Sequence, residues 1–150
     1  MLHLAGERQS GSGRLGFDRR VRLEFHGSKI SSDGGLLLYR ELDDVLGLHD
    51  LMGEHLQDTR TGHNRLHSMV GLSRQSVFGR LAGYEDVNDA DRLAVDPVMR
   101  HIVGGRAVDH QAASASQMGR FETEVLTTPD NCAALADMPG RKGSNFVPAD

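Results

Sequence analysis

The sequence predicts a mainly α fold, a small bundle of short helices with a short N-terminal β-strand or hairpin and disordered ends. Apolar residues recur at spacings of three and four in several segments, as on the buried side of a helix. Asp, Ser, Pro and Gly stand at the boundaries of these segments, where helices begin and end. The 150 residues include no Trp and only 5% aromatic residues, so we expect a core of Leu, Val, Met and Ala.

The N-terminal segment, residues 1–20, is predicted to be a flexible arm because it is rich in Gly, Ser and Arg and has no apolar period. Residues 11–16 match the GxGxxG pattern of dinucleotide sites. Such sites need a strand before the glycines and a helix after them, whereas here only a strand-like segment follows, so nucleotide binding is not expected. That segment contains Val21, Leu23 and Phe25 in alternation with polar residues, which predicts a short strand.

A first helix is predicted over residues 34–46, after the candidate N-caps Ser-Ser-Asp at 31–33 and before Gly47. A second short helix follows over residues 49–56, and residues 58–64 form a polar turn. Spacings of three and four give the first helix one stripe that we expect to be buried. Its members are Leu37, Leu38, Glu41, Leu42 and Val45.

The longest predicted helix covers residues 65–81 and ends before Gly83, a suitable C-cap. Its expected apolar side comprises Leu66, Met69, Val70, Leu72, Val77, Phe78 and Leu81.

Four shorter helical segments are predicted downstream. One turn covers residues 88–93, and a helix with Pro97 at its first position then runs to Val103 and stops at Gly104-Gly105. Ser114 or Ser116 is expected to cap a helix over residues 117–126. A last helix opens at residues 128–130 and ends at Pro139-Gly140. These elements define one helical domain over residues 21–140, followed by a divergent, disordered tail over residues 141–150.

Charge alternates along the chain although the net charge is only −4. Residues 1–30 and 57–83 each carry a net +3, whereas residues 31–56 carry −5. Arginine, which supplies 15 of the 17 basic residues, binds phosphate oxygens with a planar fork. Solvated helix charges and the codon bias of a high-GC genome would produce the same arginine content, so both stay open beside DNA contact. The residues expected to contact DNA phosphates are Arg60, Arg65, Arg74 and Arg80, followed by Arg19, Arg20 and Arg22.

No catalytic residue and no metal ligand is predicted. The acidic residues within 85–91 lack the glycine and the final glutamate of a calcium loop, so turn formation and capping account for them better. His63 and His67 have the i, i+4 spacing of a helical zinc site, but no HExxH glutamate or second cysteine accompanies them. We interpret this pair as the solvated start of a helix.

Cysteine content and hydropathy predict a cytoplasmic protein without a membrane partner. A single cysteine, Cys132, excludes an internal disulfide and fits a reducing compartment. Residues 1–17 lack the apolar core of a signal peptide, and no apolar run is long enough to cross a bilayer.

Three ordered stretches carry a family resemblance. They read SSDGGLLLYRELDD at 31–44, RQSVFGRLAGYEDVNDADRL at 74–93 and ASQMGRFE at 115–122. Together they resemble the N-terminal region of bacterial insertion-sequence transposases of DDE group 1, whose catalytic domain has an RNase H-like fold. The likeness covers residues 21–140.

The resemblance implies a role in DNA transposition, in which element ends are cleaved and joined to a target. In this family a carboxylate triad holds two divalent metal ions, so Mg²⁺ is expected for the full-length family and no cofactor for this chain. The triad lies downstream of the equivalent of residue 140, so we expect the RNase H-like catalytic core to be absent here.

We therefore expect a truncated N-terminal fragment, inactive alone, that contributes DNA binding or subunit contact without catalysis. Its expected partners are DNA at the terminal repeats of the element and either a second copy or a full-length transposase. Two alternatives stay open. The chain is a regulatory remnant that inhibits intact transposase by mixed assembly, or a non-functional product of a decayed element.

Overall fold

The protein is described by a computed structural model over residues 13–23 and 34–142. Helices make up most of this part of the chain, which confirms the predicted mainly α fold. Strands β1 (Gly13–Arg14) and β2 (Arg22–Leu23) form an antiparallel pair, in agreement with the expected strand or hairpin, and the described residues contain no larger sheet. The helices are α1 (Leu36–Leu46), α2 (Leu48–His55), α3 (Met69–Leu81), α4 (Ala90–Val95), α5 (Pro97–Val103), α6 (Arg106–Asp109), α7 (Ala115–Arg120) and α8 (Pro129–Lys142). Short 3₁₀ turns lie at Gly62–Arg65 and Val87–Asp89, and a π-helical turn lies at Phe121–Val125.

Helix α3 packs against both α2 and α5 and contributes to both apolar clusters of the core. Phe78 lies in the first cluster with Met99 and Ile102. Leu72, six residues earlier on the same helix, lies in the second with Phe121. Each of these fully buried side chains contributes about 1.5–3 kcal/mol to folding, so α3 holds the two halves of the core together.

The start of α3 differs from the prediction by four residues. Ser68 is the N-cap, and its Oγ accepts a hydrogen bond from the Gly71 amide at 3.0 Å. Leu66 therefore precedes the helix and is exposed, as is Leu81 at the other end. Apolar spacing predicts both residues on the buried side, but the capping signal of Ser68 excludes Leu66 from the helix, and Leu81 lies in the last turn.

Helix α1 buries a different face from the one predicted. Leu36 and Leu37 are buried together with two charged residues, Arg40 and Asp43. Leu38 and Leu42 of the expected stripe are exposed, and Val45 is 82% exposed. The prediction was wrong because it assumed that charged side chains face solvent, whereas Arg40 and Asp43 are paired inside the protein.

The capping residue Asp96 predicted the start of α5 correctly, and Ser114, one of the two candidate caps, precedes α7, which begins at Ala115 and not at the predicted residue 117. The Asp96 carboxylate accepts a hydrogen bond from the Met99 amide at 2.8 Å, and Pro97 occupies the first turn of α5. Ser114 and Gln117 form a capping box at the start of α7.

The C-terminal helix does not end at Pro139-Gly140 as predicted, since α8 continues to Lys142. Proline removes one helical hydrogen bond and adds a steric cost, and the buried side chain of Met138 offsets that loss by packing on the second apolar cluster. Helix α6 was not predicted.

Part of the expected N-terminal arm packs against the helices. Leu15 is 4% exposed within the first apolar cluster, and the guanidinium of Arg40 lies 4.6 Å from the centre of the Phe17 ring. Residues 1–12 of the arm, the candidate caps at 31–33 and residues 143–150 of the expected tail lie outside the described residues.

Candidate nucleic-acid interface

The seven arginines expected at DNA lie at four separate places in the structure. Arg60 and Arg74 form ion pairs with aspartates and are largely buried, and the others reach solvent to different extents. Each place has a different set of neighbouring residues.

Arg74 is buried in an ion cluster between α1 and α3. Its Nε donates to Asp43 Oδ2 at 3.1 Å, and its Nη2 lies 3.7 Å from Asp44. On the other side of Asp43, His49 Nδ1 approaches Oδ1 at 2.6 Å. Arg40 completes the cluster. It forms an ion pair with Asp44 and donates a 3.0 Å hydrogen bond to the carbonyl oxygen of Ile102. Arg74 thus cross-links two helices, and we do not retain it as a phosphate contact.

The electrostatics of this cluster favour an ionised Asp43. Burial on its own would raise the pKa of the Asp43 carboxyl, because a charge is costly away from water. Hydrogen bonds from His49 and Arg74 outweigh that cost and lower the pKa to about 2.

Arg60 braces the loop that precedes α3. Its guanidinium forms two hydrogen bonds with the Asp58 carboxylate, at 2.8 and 2.9 Å, and a third with the carbonyl of His67 at 2.9 Å. These bonds hold the guanidinium mostly out of solvent. The side chain of Arg65 is instead 59% exposed, although it also hydrogen-bonds to the Asp58 carbonyl at 3.2 Å.

Arg80 connects α3 to the π-helical turn. Its two terminal nitrogens donate to the Glu122 carboxylate at 2.9 and 3.0 Å, and the hydrogen bond from Arg80 is the main reason why the pKa of Glu122 is lowered. Half of the Arg80 side chain remains exposed.

Arg19, Arg20 and Arg22 are all exposed around the β1–β2 pair. Arg20 forms a bidentate pair with Asp18 at 3.0 Å, and this hydrogen bond from Arg20 is the main reason why the pKa of Asp18 lies well below its usual range. The second oxygen of Asp18 lies 3.0 Å from His101 Nδ1, which fixes this loop on α5.

A basic hollow that the sequence did not predict lies on the α6 side of the molecule. It has a volume of about 360 Å³, and its polar lining comes from His67, Arg106, His110, Gln111, Ser114 and Gln117. These residues belong to three separate segments, and residues 101–150 carry a net charge of −2, so neither local spacing nor block charge pointed to them.

A family model described as transposase DDE domain, group 1, matches residues 14–141, which is most of the chain. The chain belongs to this DDE transposase family. No curated protein and no solved structure matched it. Membership of the DDE transposase family assigns the chain to a transposition-related role.

Within the described residues, Asp43, Asp86 and Asp91 are each engaged by other protein groups. Asp43 is held by His49 and Arg74, as described above. Asp86 accepts a hydrogen bond from the Asn88 amide at 2.9 Å, and Asp91 accepts one from Ala115 at 2.9 Å. No group of three or more acidic, histidine or cysteine side chains suited to a metal ion occurs in residues 13–23 and 34–142. Over the same residues, no helix combines the length and the hydropathy needed to span a bilayer.

Proposed function

We propose that this chain engages DNA and a second transposase subunit during transposition, without cutting or joining DNA itself. The DNA is the terminal repeat of the element, and the compartment is the cytoplasm. Within the chain, the phosphate contacts are made by Arg19, Arg20, Arg22, Arg65 and Arg80, whereas Arg60 and Arg74 hold the fold together.

The proposal is supported by a difference between acidic and basic side chains, since several carboxylates are paired while several guanidinium groups stay exposed. Asp18, Asp43 and Asp58 are each engaged by an arginine, and the pKa of each carboxyl is lowered. Arg20 and Arg65 are nevertheless 64% and 59% exposed. Three of the 21 acidic residues are thus paired locally while these two guanidinium groups stay more than half exposed, so a chain with a net negative charge can still present guanidinium groups to a polyanion.

Salt-dependent binding to the terminal-repeat duplex tests the DNA contacts. We expect fluorescence anisotropy to detect a complex at low salt, since phosphate contacts release counterions. Arg65→Ala and Arg20→Ala should each weaken binding and reduce the slope of log K against log salt by about 1.

Arg92→Ala is the matched control, because it removes the same charge from an exposed arginine that lies over the ring of Tyr84. Undetectable binding at low salt, or equal losses for Arg92→Ala and the two test variants, would contradict the proposed contacts.

A second candidate function is inhibition of intact transposase by mixed assembly. It is favoured by the exposed apolar face of α1, on which Leu38, Leu42 and Val45 follow one another at spacings of four and three. Size-exclusion chromatography of a mixture with the full-length enzyme should then yield a mixed species that Leu42→Glu abolishes. Separate elution of the two unmodified proteins would exclude this function.

A further inference from the structure

We propose that the hollow lined by His67, Arg106, His110 and Gln117, here called the α6 hollow, is a binding site for a phosphate group. This inference rests on the proposed function in one respect only, namely that the phosphate belongs to a DNA strand. A free phosphate ion or phosphate monoester would be recognised by the same chemistry.

The α6 hollow has a surplus of hydrogen-bond donors. His67, Arg106 and His110 make no side-chain hydrogen bond or ion pair with any described residue. The oxygen of the Gln117 amide accepts from Ser114, but its NH₂ group has no partner in the described part of the chain. Four side chains therefore bring donors to one hollow without acceptors of their own, and a phosphate supplies several acceptor oxygens.

His67 brings a largely buried imidazole ring to the α6 hollow. This side chain is 8% exposed, and it lines both the α6 hollow and a neighbouring cleft next to Arg60 and Arg120. The ring makes no hydrogen bond with any described residue, so its N–H is available to an anion in the hollow.

The local potential also favours an anion. No aspartate or glutamate lines the α6 hollow. The pKa of His67 is lowered first by burial and then by the positive charges of Arg106 and Arg60, so both guanidinium groups act on this ring. Arg60 is paired with Asp58, so Arg106 supplies the positive charge that no described carboxylate neutralises.

The larger hollow next to the β1–β2 pair makes a useful contrast. Arg19, Arg20, Arg40 and Arg74 all line it, but so does Asp18. Three of these arginines already pair with carboxylates, Arg20 with Asp18 and the other two with Asp43 and Asp44. A phosphate next to the β1–β2 pair would share Arg20 with Asp18, whereas the α6 hollow offers donors that no described carboxylate engages.

The test follows the ring proton signals of His67 by NMR during titration with inorganic phosphate and, separately, with a terminal-repeat duplex. We expect both ligands to shift these signals. Arg106→Gln should weaken phosphate binding about tenfold, as expected from the loss of one charge-assisted hydrogen bond. Arg106 is exposed, so this variant should fold normally, and Arg92→Gln is the control that leaves the titration unchanged.

The outcomes separate the site from the proposed function. If phosphate shifts the His67 signals but the duplex does not bind the protein, the phosphate site stands and DNA engagement fails. If the duplex binds by anisotropy while the His67 signals do not move with either ligand, DNA engagement stands and the site is overturned. Equal weakening by Arg106→Gln and Arg92→Gln would also overturn it.

Discussion

At the residue scale, the buried carboxylate of Asp43 connects helices α1, α2 and α3. It accepts hydrogen bonds from the His49 amide at 3.1 Å and from His49 Nδ1 and Arg74 Nε, so that three elements meet at one carboxylate. Such a buried pair adds little net stability by itself, because desolvation offsets the attraction. Removal of one partner is far more costly, since the remaining charges stay buried and uncompensated.

We therefore predict that Asp43→Ala lowers the free energy of unfolding by about 3–5 kcal/mol. The change removes the carboxylate to which buried Arg74 donates its hydrogen bond and leaves only the more distant Asp44, at 3.7 Å. Glu54→Ala is the control, because Glu54 lies exposed on the adjacent helix α2, and its effect should stay within about 0.5 kcal/mol. Urea unfolding of both variants measures the difference, and similar midpoints would contradict a supporting role for Asp43.

The lowered pKa of Asp43 also predicts that the protein loses stability in acid. Its pKa in the folded protein is about 2, below the ordinary value of 3.8, so its contribution is present above pH 3.8 and is lost as the pH falls towards 2. This loss corresponds to about 2 kcal/mol. The stability gap between the unmodified protein and Asp43→Asn should thus narrow from pH 5 to pH 2. A gap that is constant over this range would show that Asp43 titrates normally.

At the scale of elements, close packing between α2 and α3 depends on a glycine. A Cβ atom built on Gly53 would lie 2.7 Å from Val70 Cγ2, nearer than two carbon atoms approach in practice. The valine side chain is short and branched, so it has little freedom to move away. Gly53 is thus required for the contact between the two helices.

We predict opposite effects of Gly53→Ala in two backgrounds. With Val70 present, the clash should cost about 1–3 kcal/mol and cancel or exceed the gain of about 1 kcal/mol in helix propensity. In a Val70→Ala background only the gain remains, so the same substitution should stabilise the protein. Thermal unfolding of the unmodified protein, the two single variants and the double variant gives the coupling free energy between Gly53→Ala and Val70→Ala. Additive effects of the two substitutions on stability would rule out the contact.

The elements also show what the sequence could predict and what it could not. The starts of α5 and α7 were predictable because Asp96 and Ser114 act locally, through hydrogen bonds to amides a few residues away. The buried face of α1 was not predictable, since Arg40 and Asp43 are buried only because Arg74 reaches them from α3, 31 residues after Asp43. The α6 hollow was missed for the same reason, because its donors come together only in the folded chain.

At the scale of the whole molecule, charge and apolar surface are distributed unevenly. Exposed guanidinium groups surround the β1–β2 pair and the loop before α3, and the α6 hollow collects donors without acids. Helix α1 instead exposes apolar side chains. Exposed guanidinium groups and exposed apolar side chains are the two kinds of surface that the proposed function requires, the first for a polyanion and the second for another protein chain.

The most direct test of DNA engagement without cleavage uses a labelled terminal-repeat duplex, incubated with the purified protein and Mg²⁺ and then separated by electrophoresis. We predict a retarded complex that weakens steeply as salt is raised, with both DNA strands recovered intact under denaturing conditions. The absence of a complex at low salt, or nicked or joined strands produced by the protein alone, would contradict the account.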